Sequence, residues 1–297
     1  MLRWIVTAVA LILTAPMAFA DLESGLKAYQ GENYEAALGA FKPLAESGDA
    51  EAQYRMGLLY DGGKGVETDA RTALDWFRKA AEGGHAEAKR VVGIYYEEGK
   101  VVGRNYARAV EWYDAAAKMG NAKAQRNLGG LYQDGLGIKA DLKKAFDLYS
   151  QAAEGGNLKA KRNLAYMYYF GAGVRRDYEK AAAMFKETSE AGLGKADYDL
   201  GRLYYRGQGV EKDAAKAAAH FRKAAKKGHG EAQFFMGRLY MLGQGVEKDP
   251  AKAYYWLTLS IAQDTEKAAK LRRKVSGDLD SKQIAQAEQD AQAFRPN

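Results

Sequence analysis

Residues 48–83 read GDAEAQYRMGLLYDGGKGVETDARTALDWFRKAAEG, and close copies of this stretch follow one another for most of the remaining sequence. Its opening glycine recurs every 36 residues, at Gly84, Gly120, Gly156, Gly192 and Gly228. A constant period of this size is typical of a stacked solenoid, in which each repeat packs against its neighbours. The sequence therefore predicts a repeat architecture for most of the chain.

One repeat is predicted to contain two helices joined by a glycine loop. Apolar residues lie at helical spacing over residues 50–60, which predicts a first helix, called helix A here. The glycine-rich residues 61–65 should end it, because glycine accepts the positive φ of a helix C-terminus. Asp69 is placed to cap a second helix, helix B, over residues 70–82.

One position of helix A is almost always glycine, although glycine inside a helix costs about 1 kcal/mol relative to alanine. The residues at this position are Gly57, Gly93, Gly129, Ala165, Gly201 and Gly237. A loss repeated in so many units predicts that helix A closely approaches the large aromatic residues of helix B, such as Trp76 or Phe77.

These features resemble the Sel1-like repeat family, which is related to the tetratricopeptide repeat. The resemblance covers residues 48 to about 263 in six consecutive units, and its motifs include L-G-x-x-Y at 128–132 and G-x-G-V at 171–174. Departures are few, such as Val101 in place of the second loop glycine. The resemblance implies an all-α, right-handed α/α superhelical solenoid that acts as a scaffold for other proteins.

The two ends of the chain differ from the repeats. Residues 1–20 have a basic start, a short apolar run, Pro16 and an Ala-x-Ala sequence ending at Ala20, which predicts a cleavable signal peptide in preference to a membrane anchor. Residues 21–47 are expected to form an N-terminal capping helix pair. Six repeats then occupy residues 48–263, and capping helices occupy residues 264–297.

Positive charge increases along the chain, from a net −5 over residues 21–100 to +4 over residues 101–200 and +7 over residues 201–297. Basic clusters such as residues 272–274 could meet an acidic polymer or a membrane surface. The favoured alternative is that they are solvated side chains near helix C-termini. Nucleic acid is not an expected partner, since no binding motif accompanies the charge.

Motifs for catalysis or for metal binding are weak. Residues 24–27 match Ser-x-x-Lys, but the companion motifs of penicillin-recognising enzymes do not follow. His85, His220 and His229 do not share metal-ligand spacing, and the chain has no cysteine. We therefore expect no catalytic, metal or cofactor site and no enzyme activity.

A partner-binding groove is predicted from the helix A positions that do not repeat. Positions equivalent to Glu51, Tyr54, Leu58 and Asp61 form one exposed stripe of helix A, opposite the face whose residue types recur from repeat to repeat. The resemblance places helix A on the concave side of the solenoid. Arginine and tyrosine, which are enriched at binding hot spots, fill many of these positions. The predicted groove residues are Tyr54, Arg90, Arg126, Arg162, Tyr166, Tyr169, Tyr198, Arg202, Tyr205, Phe234 and Arg238.

Two classes of function remain open. The favoured one is an exported scaffold or regulatory adaptor, periplasmic or secreted, that holds an extended, partly acidic protein or peptide of the cell envelope and has no stable membrane anchor after cleavage. The alternative is a protein that binds or hydrolyses cell-wall polymer or penicillin-type ligands. Some cysteine-rich members of the resembled family are described in this way, but this chain lacks their cysteines.

Overall fold

The fold was analysed in a computed structural model that describes residues 21–263 and 266–296. The predicted signal peptide lies outside the described residues. Within them the chain forms sixteen α-helices and no β-strand, which confirms the all-α prediction. In chain order the helices are α1 (Leu22–Gln30), α2 (Tyr34–Glu46), α3 (Ala50–Gly62), α4 (Ala70–Glu82), α5 (Ala86–Glu98), α6 (Tyr106–Lys118), α7 (Ala122–Asp134), α8 (Leu142–Glu154), α9 (Leu158–Phe170), α10 (Tyr178–Glu190), α11 (Gly194–Arg206), α12 (Ala214–Lys226), α13 (Gly230–Leu242), α14 (Pro250–Ile261), α15 (Glu266–Ser276) and α16 (Ser281–Ala293).

The chain divides into two compact units, one ending at Arg104 and the other beginning at Asn105. We call them unit 1, which holds α1 to α5, and unit 2, which holds α6 to α16. Within each unit, consecutive helices as far as α15 pack against one another, and α16 packs back onto α14. This pattern of neighbour contacts is the one that a helix-turn-helix solenoid requires.

Both ends of helix B follow from its sequence. Asp69 has an extended backbone, and its carboxylate accepts hydrogen bonds from the amides of Arg71 and Thr72. An aspartate or asparagine caps each equivalent helix, α6, α8, α10, α12 and α14. Pro250 occupies the first turn of α14, where its missing N–H costs no hydrogen bond.

The predicted close approach between helix A and helix B is present, and the structure shows which side chain of helix B faces the glycine. A Cβ placed on Gly57 would lie 2.5 Å from the ring of Phe77, and one on Gly129 would lie 2.8 Å from the ring of Tyr149. The neighbour is therefore the Phe77 position of helix B, whereas Trp76 packs at the edge of a cluster formed by α2 and α3. In the last repeat Leu257 takes the place of the aromatic ring opposite Gly237.

The capping segments also fold as helices. Phe41 and Ala45 of α2 pack on Met56 and Leu59 of α3 and begin the core of unit 1. At the other end, Asp280 and Gln283 form the expected capping box at the start of α16. α16 then buries Ala287 against α14 and closes the end of unit 2.

Candidate partner-binding site

The predicted groove residues are divided between the two units. Tyr54 and Arg90 belong to unit 1, and the other nine belong to unit 2. In unit 1, the ring of Tyr54 stacks on His85 with centroids 4.4 Å apart. Arg90 is held by both carboxylate oxygens of Glu87, at 3.0 and 2.8 Å. Both predicted residues of unit 1 therefore have a partner within the fold.

In unit 2, Arg162 and Tyr166 belong to a buried polar network centred on Asp199. Arg162 donates from Nε to Asp199 Oδ2 at 2.6 Å and from Nη2 to the Tyr166 hydroxyl at 2.9 Å. Tyr166 in turn donates its hydroxyl hydrogen to Asp199, whose side chain is 2% exposed. Burial raises the pKa of Asp199, while Arg162 and Tyr166 act in the opposite direction. Since a buried carboxylate pairs with Arg162, this arginine is fixed in place by the fold.

Three of the predicted aromatic anchors contribute to packing between repeats. Tyr169 is 9% exposed, and its hydroxyl bonds to Gln208 and Arg206, so its ring does not offer a surface to a partner. Tyr198 stacks on His229 with centroids 4.4 Å apart. Phe234 packs at the edge of the core cluster built by α14, α15 and α16. The sequence pattern placed these rings on an exposed stripe because it could not show which of them the next repeat covers.

The remaining predicted residues are half-buried and line the same series of helices. The guanidinium of Arg202 lies 5.9 Å from the ring centre of Tyr169 and 5.6 Å from that of Tyr198. Arg238 lies 5.8 Å from the ring centre of Tyr205. Such contacts keep these arginines close to the protein surface.

A cavity of about 570 Å³ opens among α7, α9, α11 and the segment that links α12 to α13. We call it the basic cavity. Its charged and titratable lining residues are Arg126, Lys159, Arg162, Lys195, Lys227 and His229. No acidic residue lines it among the part of the chain that the structure describes.

Most cations of the basic cavity have no acidic partner among the described residues. Arg126 donates to the side-chain oxygen of Asn127 at 2.7 Å, and Lys227 approaches the Gly192 carbonyl at 3.4 Å. Lys159 and Lys195 are exposed, and neither forms a salt bridge in residues 21–263 and 266–296. The cavity therefore carries positive charge that the fold itself does not neutralise.

His229 and the first turn of α11 complete the wall of the basic cavity. Burial, together with the charges of Arg162 and Lys195, lowers the pKa of His229, and its Nδ1 accepts a hydrogen bond from the Ala232 amide. Leu193 occupies the N-cap position of α11 and cannot accept a side-chain hydrogen bond. The amides of this turn therefore add a partial positive charge to the same wall.

A second recess, of about 550 Å³, lies beside the basic cavity, and we call it the aromatic cleft. Its lining includes Leu142, Tyr149, Tyr166 and Phe170. Phe170 is 64% exposed, and its ring stacks on Tyr166 with centroids 6.0 Å apart. The two recesses adjoin, because Asn163 lines both of them.

The groove residues predicted from the sequence do not include Lys159, Lys195, Lys227 or Phe170, although two columns of the repeat contain a signal. The position of Lys159 is held in the six repeats by Glu51, Glu87, Lys123, Lys159, Lys195 and Glu231. The position of Phe170 is held by Gly62, Glu98, Asp134, Phe170, Arg206 and Leu242. A change from acid to lysine in successive repeats, and a phenylalanine in a largely polar column, both mark the place where the cavities form.

The described residues contain one serine, aspartate and histidine cluster, and its geometry does not fit nucleophilic catalysis. Asp197 lies in the middle, 2.7 Å from Ser189 Oγ and 3.2 Å from His220 Nδ1. A serine nucleophile needs the histidine as its direct partner. Elsewhere in residues 21–263 and 266–296 no group of three His, Asp or Glu side chains could hold a metal ion, and no described helix has the length and apolar character to cross a membrane.

The Sel1 repeat pattern matches six consecutive segments of the chain, at residues 50–85, 86–121, 122–157, 158–193, 194–229 and 230–265. The chain belongs to the Sel1 repeat family. Proteins of this family generally mediate protein–protein interactions, and the repeat scaffold is generally non-enzymatic. The six matched segments confirm the resemblance inferred from the sequence.

The solved structures similar to this Sel1 repeat protein include two that are 34% identical to it. One is c5321, a protective antigen of uropathogenic Escherichia coli, which is 34% identical over 84% of this chain with a TM-score of 0.77. The match spans 54% of c5321, so the chain corresponds to about half of that protein. The other is a Sel1 repeat protein from Oxalobacter formigenes, 34% identical over 82% of this chain and 97% of its own length, with a TM-score of 0.76. Comparison with curated protein sequences gives no match.

Proposed function

We propose that this Sel1 repeat protein is an exported scaffold or adaptor that holds an acidic segment of a protein partner against the A helices of unit 2. The observation that carries this proposal is the basic cavity, where Arg126, Lys159, Lys195 and Lys227 converge without acidic partners in the described residues. Uncompensated cations in a recess attract anionic groups and accelerate their association. The general role of the family in protein–protein interaction supports a protein as the source of those groups.

The arginines of unit 1 differ from the cations of the basic cavity in unit 2, because they already have acidic partners. There, Arg55 pairs with Glu51 at 2.6 Å and Arg90 pairs with Glu87. Cations that are already paired gain less from a second anion, since the existing partner must be displaced or shared. The A helices of unit 2 are therefore the better surface for an acidic partner.

Capture of partners from a cell-envelope extract tests this function, provided that binding is compared between the parent chain and a variant with an altered basic cavity. The immobilised chain from Asp21 to Asn297 is compared with the double variant Arg126→Glu, Lys195→Glu. A matched control is Lys186→Glu on α10, whose side chain is 64% exposed and contacts Glu190 at 4.0 Å. We expect an envelope protein that binds the parent chain and the control and is lost from the double variant. An identical set of captured proteins on all three chains would reject the proposal.

The export proposal rests on residues 1–20, which have the parts of a cleavable signal peptide. Cleavage after Ala20 would give a mature protein that begins at Asp21. N-terminal sequencing of the protein purified from its native cell is the direct measurement. A mature pool that begins at Met1 or Leu2 would contradict it.

A further inference from the structure

We infer that the basic cavity and the aromatic cleft form one two-part site for an extended peptide segment, in which an acidic residue lies about three or four positions from a large apolar residue. This inference rests on the proposed function and adds the chemistry and spacing of the segment. Four observations on unit 2 support it: the shared helix, the rigid wall, the exposed ring and the distance between the two recesses.

The two recesses share one face of α9. Lys159, Arg162, Asn163, Tyr166 and Phe170 are separated by three, one, three and four positions. Residues at such spacings lie on the same side of a helix. Lys159 and Arg162 line the basic cavity, Tyr166 and Phe170 line the aromatic cleft, and Asn163 lines both. A segment that follows this face meets the cations at the N-terminal end of α9 and the rings at its C-terminal end.

The wall between the recesses is rigid and nearly neutral. Asp199 binds both Arg162 and Tyr166, and its side chain is 2% exposed, so the network is shielded from solvent. Because Asp199 balances the charge of Arg162, the attraction for an acid comes from Arg126, Lys159, Lys195 and Lys227. The acidic group is therefore expected on the open side of the cavity, away from Tyr166.

Phe170 shows that a simple anion would leave part of the site unused. A phosphate ion would use the cations but would gain nothing from a phenyl ring that is 64% exposed. Exposed aromatic rings at the edge of an apolar recess are typical of protein-binding surfaces. An acidic peptide with an apolar side chain is the ligand that uses both recesses.

The distance between the two recesses along α9 sets the spacing between the acidic and the apolar residue of the peptide. The middle of the pair Lys159 and Arg162, which lines the basic cavity, lies between seven and eight residues from the middle of the pair Tyr166 and Phe170, which lines the aromatic cleft. This separation corresponds to about 11 Å along the axis of α9. An extended peptide rises about 3.3 Å per residue and covers this distance in about three or four residues. A segment whose acidic and apolar residues are adjacent, or far apart, cannot fill both recesses at once.

Selection from a phage-displayed library of random eight-residue peptides, on the immobilised chain from Asp21 to Asn297, tests the inference while the partner is still unidentified. The enriched peptides should carry Asp or Glu three or four positions from Phe, Tyr, Trp, Leu or Met. Synthetic copies should bind the parent chain, and Lys195→Glu and Phe170→Ser should each weaken them by about tenfold or more, as loss of a hot-spot contact does.

Two matched variants serve as controls. Lys186→Glu reverses a charge outside the basic cavity, and Leu242→Ser removes a 46% exposed apolar side chain at the position equivalent to Phe170 in the last repeat. Neither should change affinity by more than about twofold, because neither side chain lines the basic cavity or the aromatic cleft. Thermal unfolding of all four variants shows whether each retains the fold.

Three outcomes would overturn the inference. They are no enrichment over uncoated surface, enriched peptides without the acidic–apolar spacing, and equal binding to Phe170→Ser and to the parent chain. If binding then still depended on Lys195, the basic cavity would accept an anion alone, and soluble cell-wall fragments would be the next ligands to compare. The proposed function fails separately, when the capture of envelope proteins does not depend on Arg126 and Lys195.

Discussion

Val101 has a φ of 68°, in the left-handed region of backbone conformation that residues other than glycine rarely adopt. In the other five repeats this loop position is glycine, with φ near 70° at Gly137, Gly173 and the remaining copies. The left-handed conformation costs an L-residue about 1–2 kcal/mol, and the greater freedom of glycine in the unfolded chain offsets about 0.4–1 kcal/mol of that. We expect Val101→Gly to stabilise the protein by about 1 kcal/mol, measured by chemical unfolding. A loss of stability would show that the valine side chain has a packing role that outweighs its strain.

Alanine substitutions at two adjacent glycines of α7 should change the stability of the protein in opposite directions. A Cβ on Gly129 would lie 2.8 Å from the ring of Tyr149, whereas the nearest atom to a Cβ on Gly130 is the Tyr149 hydroxyl at 3.7 Å. Gly129→Ala should therefore destabilise the protein by about 1–3 kcal/mol through overpacking, and Gly130→Ala should stabilise it by about 0.5–1 kcal/mol through helix propensity. Melting temperatures that shift in the same direction would contradict the close-approach explanation of the glycine column.

The pKa of the His229 imidazole reports the positive charge of the basic cavity. Burial, followed by the charges of Arg162 and Lys195, holds the pKa of His229 below its ordinary value. Lys195→Glu replaces a nearby cation with an anion, which favours the imidazolium, so the pKa of His229 should rise. A proton NMR titration measures it, with His229→Gln to assign the resonance and Lys186→Glu as the control. An unchanged pKa would mean that solvent screens Lys195 from the cavity wall.

At the scale of the elements, the sequence predicted most of what the structure contains. Helix B was placed at residues 70–82, and α4 has those bounds because Asp69 caps one end and glycine follows the other. Helix A was predicted to end near Tyr60, but α3 continues to Gly62. The sequence offers two consecutive glycines there, and only the backbone shows that Gly63 is the one with a φ of 62°.

α11 lacks the side-chain N-cap that the equivalent helices have, and one substitution should supply it. Asn121 and Asn157 cap α7 and α9, but Leu193 gives α11 no side-chain hydrogen bond. Leu193→Asn should restore the cap and stabilise the protein by about 0.5–2 kcal/mol. Asn157→Ala is the matched reverse change and should destabilise it by a similar amount, both measured by thermal unfolding. If Leu193→Asn lowers the melting temperature, the leucine contributes packing that exceeds the value of a cap.

At the scale of the whole molecule, periodicity predicted the fold class, since a 36-residue repeat leaves few alternatives to a helical solenoid. The candidate site was predicted only in part. Arg126, Arg162 and Tyr166 do line the two recesses of unit 2, whereas Tyr169 is buried by its neighbours. A cavity formed by three successive repeats depends on which side chains the next repeat covers, and a single-helix pattern does not contain that information.

Photo-crosslinking in cells that produce the protein tests the binding surface most directly. A photo-crosslinking amino acid is placed at Phe170, in the aromatic cleft, and in a second chain at Lys186, on the exposed surface of α10. Binding of a partner across the basic cavity and the aromatic cleft predicts a crosslinked envelope protein from position 170, none from position 186, and loss of the product when Arg126→Glu and Lys195→Glu are added. A product that persists after these charge reversals, or that forms equally at both positions, would contradict the account.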